Sequence, residues 1–245
     1  MPSDTLLANN TNAAERHRAK LILPIGSGRT GKSFWSRWFI DRAAEHRSHL
    51  DIIDGDTINP GVAPLYKSAL VPPAFRGDQP PWFEKTIESA VETRRSALLE
   101  LGFWLFDDWL AELPLAETLE ENGVDLIAVY LMTPDAYSLP RLPYILDLIK
   151  PPRTLIVMNE WGFEADKARA AFAPILANPI VAAAEADGAR IVTMPHLDDA
   201  QALDAIRALR RDGASGAVAD YPALSAWLTR MEENFAPVAD WLASN

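Results

Sequence analysis

The sequence predicts an α/β fold, a mostly parallel sheet with helices on both faces. Three observations carry this reading. Short apolar runs alternate with longer amphipathic segments, the pattern of a chain built from βαβ units. A glycine-rich octapeptide separates the first apolar run from the first amphipathic segment, and acidic residues stand at the ends of the next two runs.

Taken in order, the apolar runs predict strands at 20–25 (KLILPI), 50–54 (LDIID), 96–101 (SALLEL), 125–132 (DLIAVYLM), 153–159 (RTLIVMN) and 189–194 (ARIVTM). The first helix begins within GKSFWSRWFIDRAAEH, because Trp35, Trp38 and Phe39 fall at i, i+3 and i+4 and share a face that packs on the sheet. Residues 70–83, LVPPAFRGDQPPWF, are too rich in proline for a helix and predict a surface connection or a mobile switch segment. Phe103 to Leu113 reads as an amphipathic helix. The last segment, 221–245, places Leu224, Trp227, Met231, Phe235, Val238 and Trp241 at three- and four-residue steps, a helical stripe that packs on the core or else forms a partner or dimer surface, with a kink or break at Pro237.

Composition narrows the function. With 245 residues, 49% of them hydrophobic, and 8 tryptophans and 9 phenylalanines, the chain can bury one substantial core. The absence of cysteine excludes disulfides, thiolate metal sites and cysteine nucleophiles. His17, His46, His49 and His196 show no ligand spacing, so metal chemistry would use oxygen ligands. A net charge of −11 argues against broad attraction to nucleic acid or an anionic membrane, and Arg207, Arg210 and Arg211 read as cations suited to a helix C-terminus. No apolar run approaches the roughly 20 residues that span a bilayer, and residues 1–19 lack a signal-peptide core. The expectation is a soluble, cytoplasmic protein with no membrane contact.

The octapeptide GSGRTGKS, Gly26 to Ser33, fits G-x-x-x-x-G-K-[ST] with the strand and helix flanks that a phosphate-binding loop requires. Backbone N–H groups of Gly26, Ser27, Gly28, Arg29, Thr30 and Gly31 would face the phosphates, with Gly26, Gly28 and Gly31 allowing close approach. Lys32 would reach the β and γ phosphates, and the Ser33 hydroxyl would ligate Mg²⁺. The fold class is therefore a P-loop NTPase: residues 1–19 a flexible N-terminal segment, and 20–245 a single nucleotide-binding domain that includes the C-terminal helical segment.

Four further side chains are candidates. Asp54 closes the second strand and Asp56 follows it, so either can hold a magnesium-bound water or orient an attacking water; alternatively, both only satisfy backbone groups of the turn, with Asn59. Glu100 ends the third strand, where hydrolytic P-loop proteins place an acid near Mg²⁺, and is preferred to Asp107 or Asp108. Asn159 ends a late strand where several P-loop proteins contact the base; its alternative is a strand-to-loop turn. The guanine pattern N-K-x-D fails, with Glu160 for the lysine and Gly162 for the aspartate, which points to ATP. The expected catalytic set is thus Lys32, Asp56 and Glu100, and the metal set Ser33, Asp54, Asp56 and Glu100.

With these residues in view, the chain resembles the ParA/MinD group of P-loop ATPases, and within it the TraL-like or StbB-like proteins of plasmid conjugation and stability. DGDTINPGVAPLYKSAL looks like that subgroup's D-x-D-x-x-N segment ending in a tyrosine, ALLELG stands in the place of its D-x-G strand end, and LIVMNEWG is similar to its late asparagine and aromatic. The resemblance implies Mg²⁺ and ATP binding, slow hydrolysis, and a nucleotide-gated homodimer acting on a protein partner or DNA. Ser27 stands where the group has a lysine that reaches across the dimer, Glu100 where it has an aspartate, and Arg29 where glycine is common. Two rival classes remain: a small-molecule kinase, because IIDGDTINP also looks like a kinase substrate segment, and a nucleotide-binding adaptor without turnover.

Overall fold

The computed structural model describes residues 18–102, 114–134, 138–161, 163, 165–197 and 222–243. Six strands form one sheet: β1 (Ala19–Ile25), β2 (Leu50–Asp54), β3 (Ser96–Glu100), β4 (Val124–Met132), β5 (Arg153–Asn159) and β6 (Arg190–Met194). Their order is β2-β3-β1-β4-β5-β6, and every pairing is parallel. This is the α/β fold expected from the sequence, a parallel sheet with the glycine-rich loop following β1. All six strands lie within a residue or so of their expected positions.

The helices are α1 (Lys32–Glu45), α2 (Gln79–Thr93), α3 (Leu115–Glu121), α4 (Arg141–Ile149), α5 (Ala165–Leu176), α6 (Pro179–Ala186), α7 (Pro222–Phe235) and α8 (Ala239–Leu242). Strand residues alternate between two hydrophobic clusters, one on each face. Leu21, Leu23, Leu126, Ala128 and Tyr130 pack with Phe83, Ile87, Leu142 and Phe172 from α2, α4 and α5. Ile22, Ile127, Val129 and Leu131 pack with Trp35, Trp38, Phe39, Trp227, Met231 and Phe235 from α1 and α7. The expected C-terminal stripe is therefore core, and its break is a single 3₁₀ turn, Ala236–Val238, at Pro237.

Two prolines show how local chemistry shapes the scaffold. The β1–β3 ladder stops at Ile22↔Leu98, just before Pro24, which has no N–H to donate, while β1–β4 continues to Ile25↔Tyr130. The expectation that 70–83 excludes helix is corrected in part. Gln79–Phe83 is the first turn of α2, and Pro80 and Pro81 are tolerated there because first-turn N–H groups have no partner within the helix. The remainder is a connection whose Leu70 pairs with the β2 edge, donating to Ile52 O at 2.8 Å and accepting from Asp54 N at 2.9 Å.

The neighbours β1 and β4 send their following connections in opposite directions, toward β2 and toward β5. That places a ligand crevice at the C-terminal end of β1, where the glycine-rich loop lies. Among the described residues no helix is long and apolar enough to cross a membrane. Phe103–Leu113, Asp107, Asp108, Arg207, Arg210, Arg211 and the first 17 residues lie outside the described residues.

Candidate functional site

The loop Gly26–Gly31 takes its shape from glycine at its two ends. Gly26 has φ 149° and a Cβ there would stand 2.4 Å from Leu131 O; Gly31 has φ 93° and a Cβ there would stand 2.5 Å from Asn159 Nδ2. Neither position admits a side chain. Gly28 differs from expectation, because nothing lies within 4 Å of its added Cβ. Arg29 is exposed at φ 65°, a backbone region that favours glycine. Thr30 Oγ1 donates to Ser27 O at 2.9 Å and closes the turn.

Helix α1 starts at Lys32 with no side-chain cap and no acid in its first turn, so its positive end is left for an anion. Lys32 Nζ donates to Gly26 O and Ser27 O, each at 3.1 Å, and so stands at the mouth of the loop. Burial pulls its pKa down; Glu100 and Asp56 oppose that shift. An uncapped helix end, inward glycines and a poised ammonium fit a polyphosphate.

Glu100, only 2% exposed, sits behind Ser33, whose Oγ donates to Glu100 Oε1. The other oxygen, Oε2, is buried without a hydrogen bond. Burial pushes the Glu100 carboxyl above its ordinary value. The Ser33 hydrogen bond, the nearby Ser36 hydroxyl and the Lys32 charge oppose this, and Asp54 adds to it, although Ser36 Oγ makes no hydrogen bond of regular geometry. An acid with a raised folded-state pKa stabilises the fold in its protonated form, and that contribution is lost as pH rises through the raised value. In magnesium-free buffer, Glu100→Gln is therefore expected to flatten the fall in stability as pH rises from the ordinary carboxylate range into the neutral range. Urea midpoints across that range check it; parallel profiles for both proteins would contradict it.

The Asp54 carboxylate, 1% exposed, is taken up by its own loop. Its Oδ2 accepts from Val62 N at 2.8 Å and Ala63 N at 2.7 Å, and its Oδ1 from Asp56 N at 3.2 Å. Asp54 is thus placed as the anchor of residues 55–63. Asp56 Oδ1 accepts from Ile58 N and Asn59 N, and its carboxylate lies over Gly102, where an added Cβ would meet either oxygen at 3.1 Å. Among the described residues no three acidic or histidine side chains are grouped to hold a metal together. Mg²⁺ keeps several waters and takes phosphate oxygens, and the donors offered here, the Ser33 hydroxyl and the Glu100 carboxylate, are oxygens of the kind it takes.

Asn159 is buried, with both amide atoms committed: Nδ2 donates to Thr30 O at 2.9 Å and Oδ1 accepts from Trp161 N at 2.8 Å. As placed it braces the loop against β5 through one amide hydrogen and one oxygen lone pair, the contacts that its turn-closing alternative describes. Glu160 stands where the guanine pattern has lysine, its N–H on Met194 O. The Phe34 ring lies 5.2 Å from Trp161 and 5.0 Å from Trp227, an aromatic row flanking the start of α1. On the opposite side a cleft is lined by Gly26, Lys32, Leu101, Tyr130, Arg141 and Ile145.

Sequence reasoning missed Arg37 and Gly61. Arg37 Nε donates to Gly61 O at 2.8 Å, with a second bond from its Nη2. A sequence signal for it existed, since Arg37 lies four residues after Ser33 on the same helix face.

No protein-family model matches the chain, and no curated protein matches it in sequence. Among solved structures it is similar to the hydrogenase maturation factor HypB from Archaeoglobus fulgidus, at 14% identity over 86% of this chain and 100% of that one, TM-score 0.44. It is also similar to PAB0955, a GTPase in apo form from Pyrococcus abyssi, at 11% identity over 83% and 99%, TM-score 0.45. FtsY from Mycoplasma mycoides matches at 14% identity over 62% of this chain and 60% of that one, TM-score 0.39, so the chain spans well under two thirds of FtsY.

Proposed function

We propose that this chain is a magnesium-dependent ATP-binding protein and a slow ATP hydrolase of the ParA/MinD type. In this reading it serves the transfer or maintenance of a plasmid or other mobile element, through a nucleotide-controlled homodimer or a protein partner, in the cytoplasm. One observation carries the binding: Lys32 and the uncapped start of α1 converge on a loop whose end glycines admit no side chain. The mobile-element role rests on the resemblance of the loop, the Asp54–Tyr66 segment and the β5 end. Net charge does not favour DNA as the partner.

In this reading Lys32 holds the β and γ phosphates and Ser33 with Glu100 orients the metal, which when bound supplies charge neutralisation for phosphoryl transfer. Asp56, over Gly102, positions the attacking water. Asp56→Ala is then expected to lower hydrolysis at least about tenfold while leaving ATP affinity within a few fold, since the loop carries ground-state binding. Single-turnover hydrolysis beside equilibrium titration checks it; normal turnover would return Asp56 to a purely turn-forming role. ATP is preferred over GTP because the guanine-reading acid is missing from the sequence after Asn159.

The cleft lined by Lys32 and Arg141 favours one second reading, a kinase whose anionic acceptor enters there. Phosphate release with and without candidate acceptors separates hydrolase, kinase and non-hydrolysing adaptor. Oligomeric state in ADP and in a non-hydrolysable ATP analogue tests the dimer, for which exposed Arg29 is the loop cation in place of a lysine at Ser27.

A further inference from the structure

Gly61 is packed onto the corner that would receive magnesium. A Cβ added to it would lie 2.1 Å from Ser33 Oγ and 2.7 Å from Glu100 Oε1, so the Gly61 backbone lies too close to this pair to admit a side chain between them. A cation held by those two groups with its waters would need the space on this side. The segment is held there from three sides. Arg37 grips Gly61 O through Nε and Nη2, Asp54 Oδ2 holds the Val62 and Ala63 amides, and Tyr66 Oη bonds to Asp41 Oδ1 at 2.6 Å. Between these anchors the tip, Thr57 to Pro60, is exposed.

We infer that residues 55–66 form a lid, latched by Arg37 through Gly61, that competes with magnesium for Ser33 and Glu100. The inference rests on the nucleotide-binding reading of the same site. In this reading phosphates enter at Lys32 and Gly26–Gly31, and it is the metal at Ser33 and Glu100 that the closed lid excludes. Binding of the metal-nucleotide complex therefore includes lifting Gly61 and breaking the Arg37 grip, and its apparent affinity is reduced by the fraction of chains that are closed. Arg37 is a positioning residue: it acts on the metal corner through Gly61.

Two variants release the latch by unrelated means. Arg37→Ala removes the grip. Gly61→Ala pushes the backbone off Ser33, and Gly61 is not in the left-handed region, so alanine adopts its backbone without strain once the segment shifts. The full chain with each variant is compared with the unaltered protein by hydrogen exchange without ligand and by titration with ATP in magnesium and in EDTA. Expected are faster exchange of the Val62 and Ala63 amides, at least about threefold, and tighter binding of Mg·ATP, at least about threefold, with affinity in EDTA unchanged. Unaltered exchange in both variants overturns the latch whether or not nucleotide binds. Faster exchange with equal or weaker Mg·ATP binding overturns the competition, since it is what a supporting loop would give. Absence of ATP binding by the unaltered protein would instead overturn the underlying reading, with the ligand-free exchange still deciding the latch.

Discussion

Trp227→Ala is expected to lower the unfolding free energy by about 3–5 kcal/mol, the cost of emptying a large buried aromatic site. The Trp227 side chain is 1% exposed, its Nε1 donates to Pro195 O at 2.8 Å, and its ring packs beside Phe34. Truncation leaves a cavity between α1 and α7 and strands the Pro195 carbonyl. The segment's other ties do not fill that cavity: Arg230 Nη2 on His196 O, Lys20 Nζ on the Asp240 and Ala243 carbonyls, Arg42 on Glu232, Asn234 Nδ2 on Thr193 O, and Arg190 stacked 4.2 Å from the Trp241 ring. Urea unfolding measures the effect. A loss below about 1 kcal/mol would mean that the helix is peripheral to the core.

Lys32→Ala is expected to weaken Mg·ATP binding at least tenfold, about 1.4 kcal/mol or more. The ammonium is partly buried and rests on two loop carbonyls; burial lowers its pKa, and Glu100 and Asp56 are close enough to oppose that shift. Without it, a polyphosphate would face those two carboxylates with only backbone dipoles for compensation. Displacement of a labelled ATP analogue gives the ratio directly, and an unchanged ratio would remove Lys32 from the site.

The sheet was legible because buried parallel strands read as continuous apolar runs, and here each run is bounded by polar or turn residues. The loop was legible from eight letters because a fixed backbone geometry needs glycine at Gly26 and Gly31. The start of α2 was hidden by Pro80 and Pro81, whose cost depends on their place within the helix and not on their number. Asp54 and Asn159 were legible as strand-end polar residues, but their partners were not. Which backbone amides a buried carboxylate or amide meets is set by loop paths eight or 129 residues away in sequence. For the same reason the contact of Gly61 with Ser33 and Glu100 has no sequence signature.

Titration calorimetry of the full chain with ATP in magnesium buffer tests the central claim most directly. A saturable transition at one site per chain, retained when GTP is present at equal concentration and lost in Lys32→Ala, is the result expected of an ATP site built on Gly26–Ser33. No saturable heat with either nucleotide, or equal heats from the unaltered chain and Lys32→Ala, would contradict it.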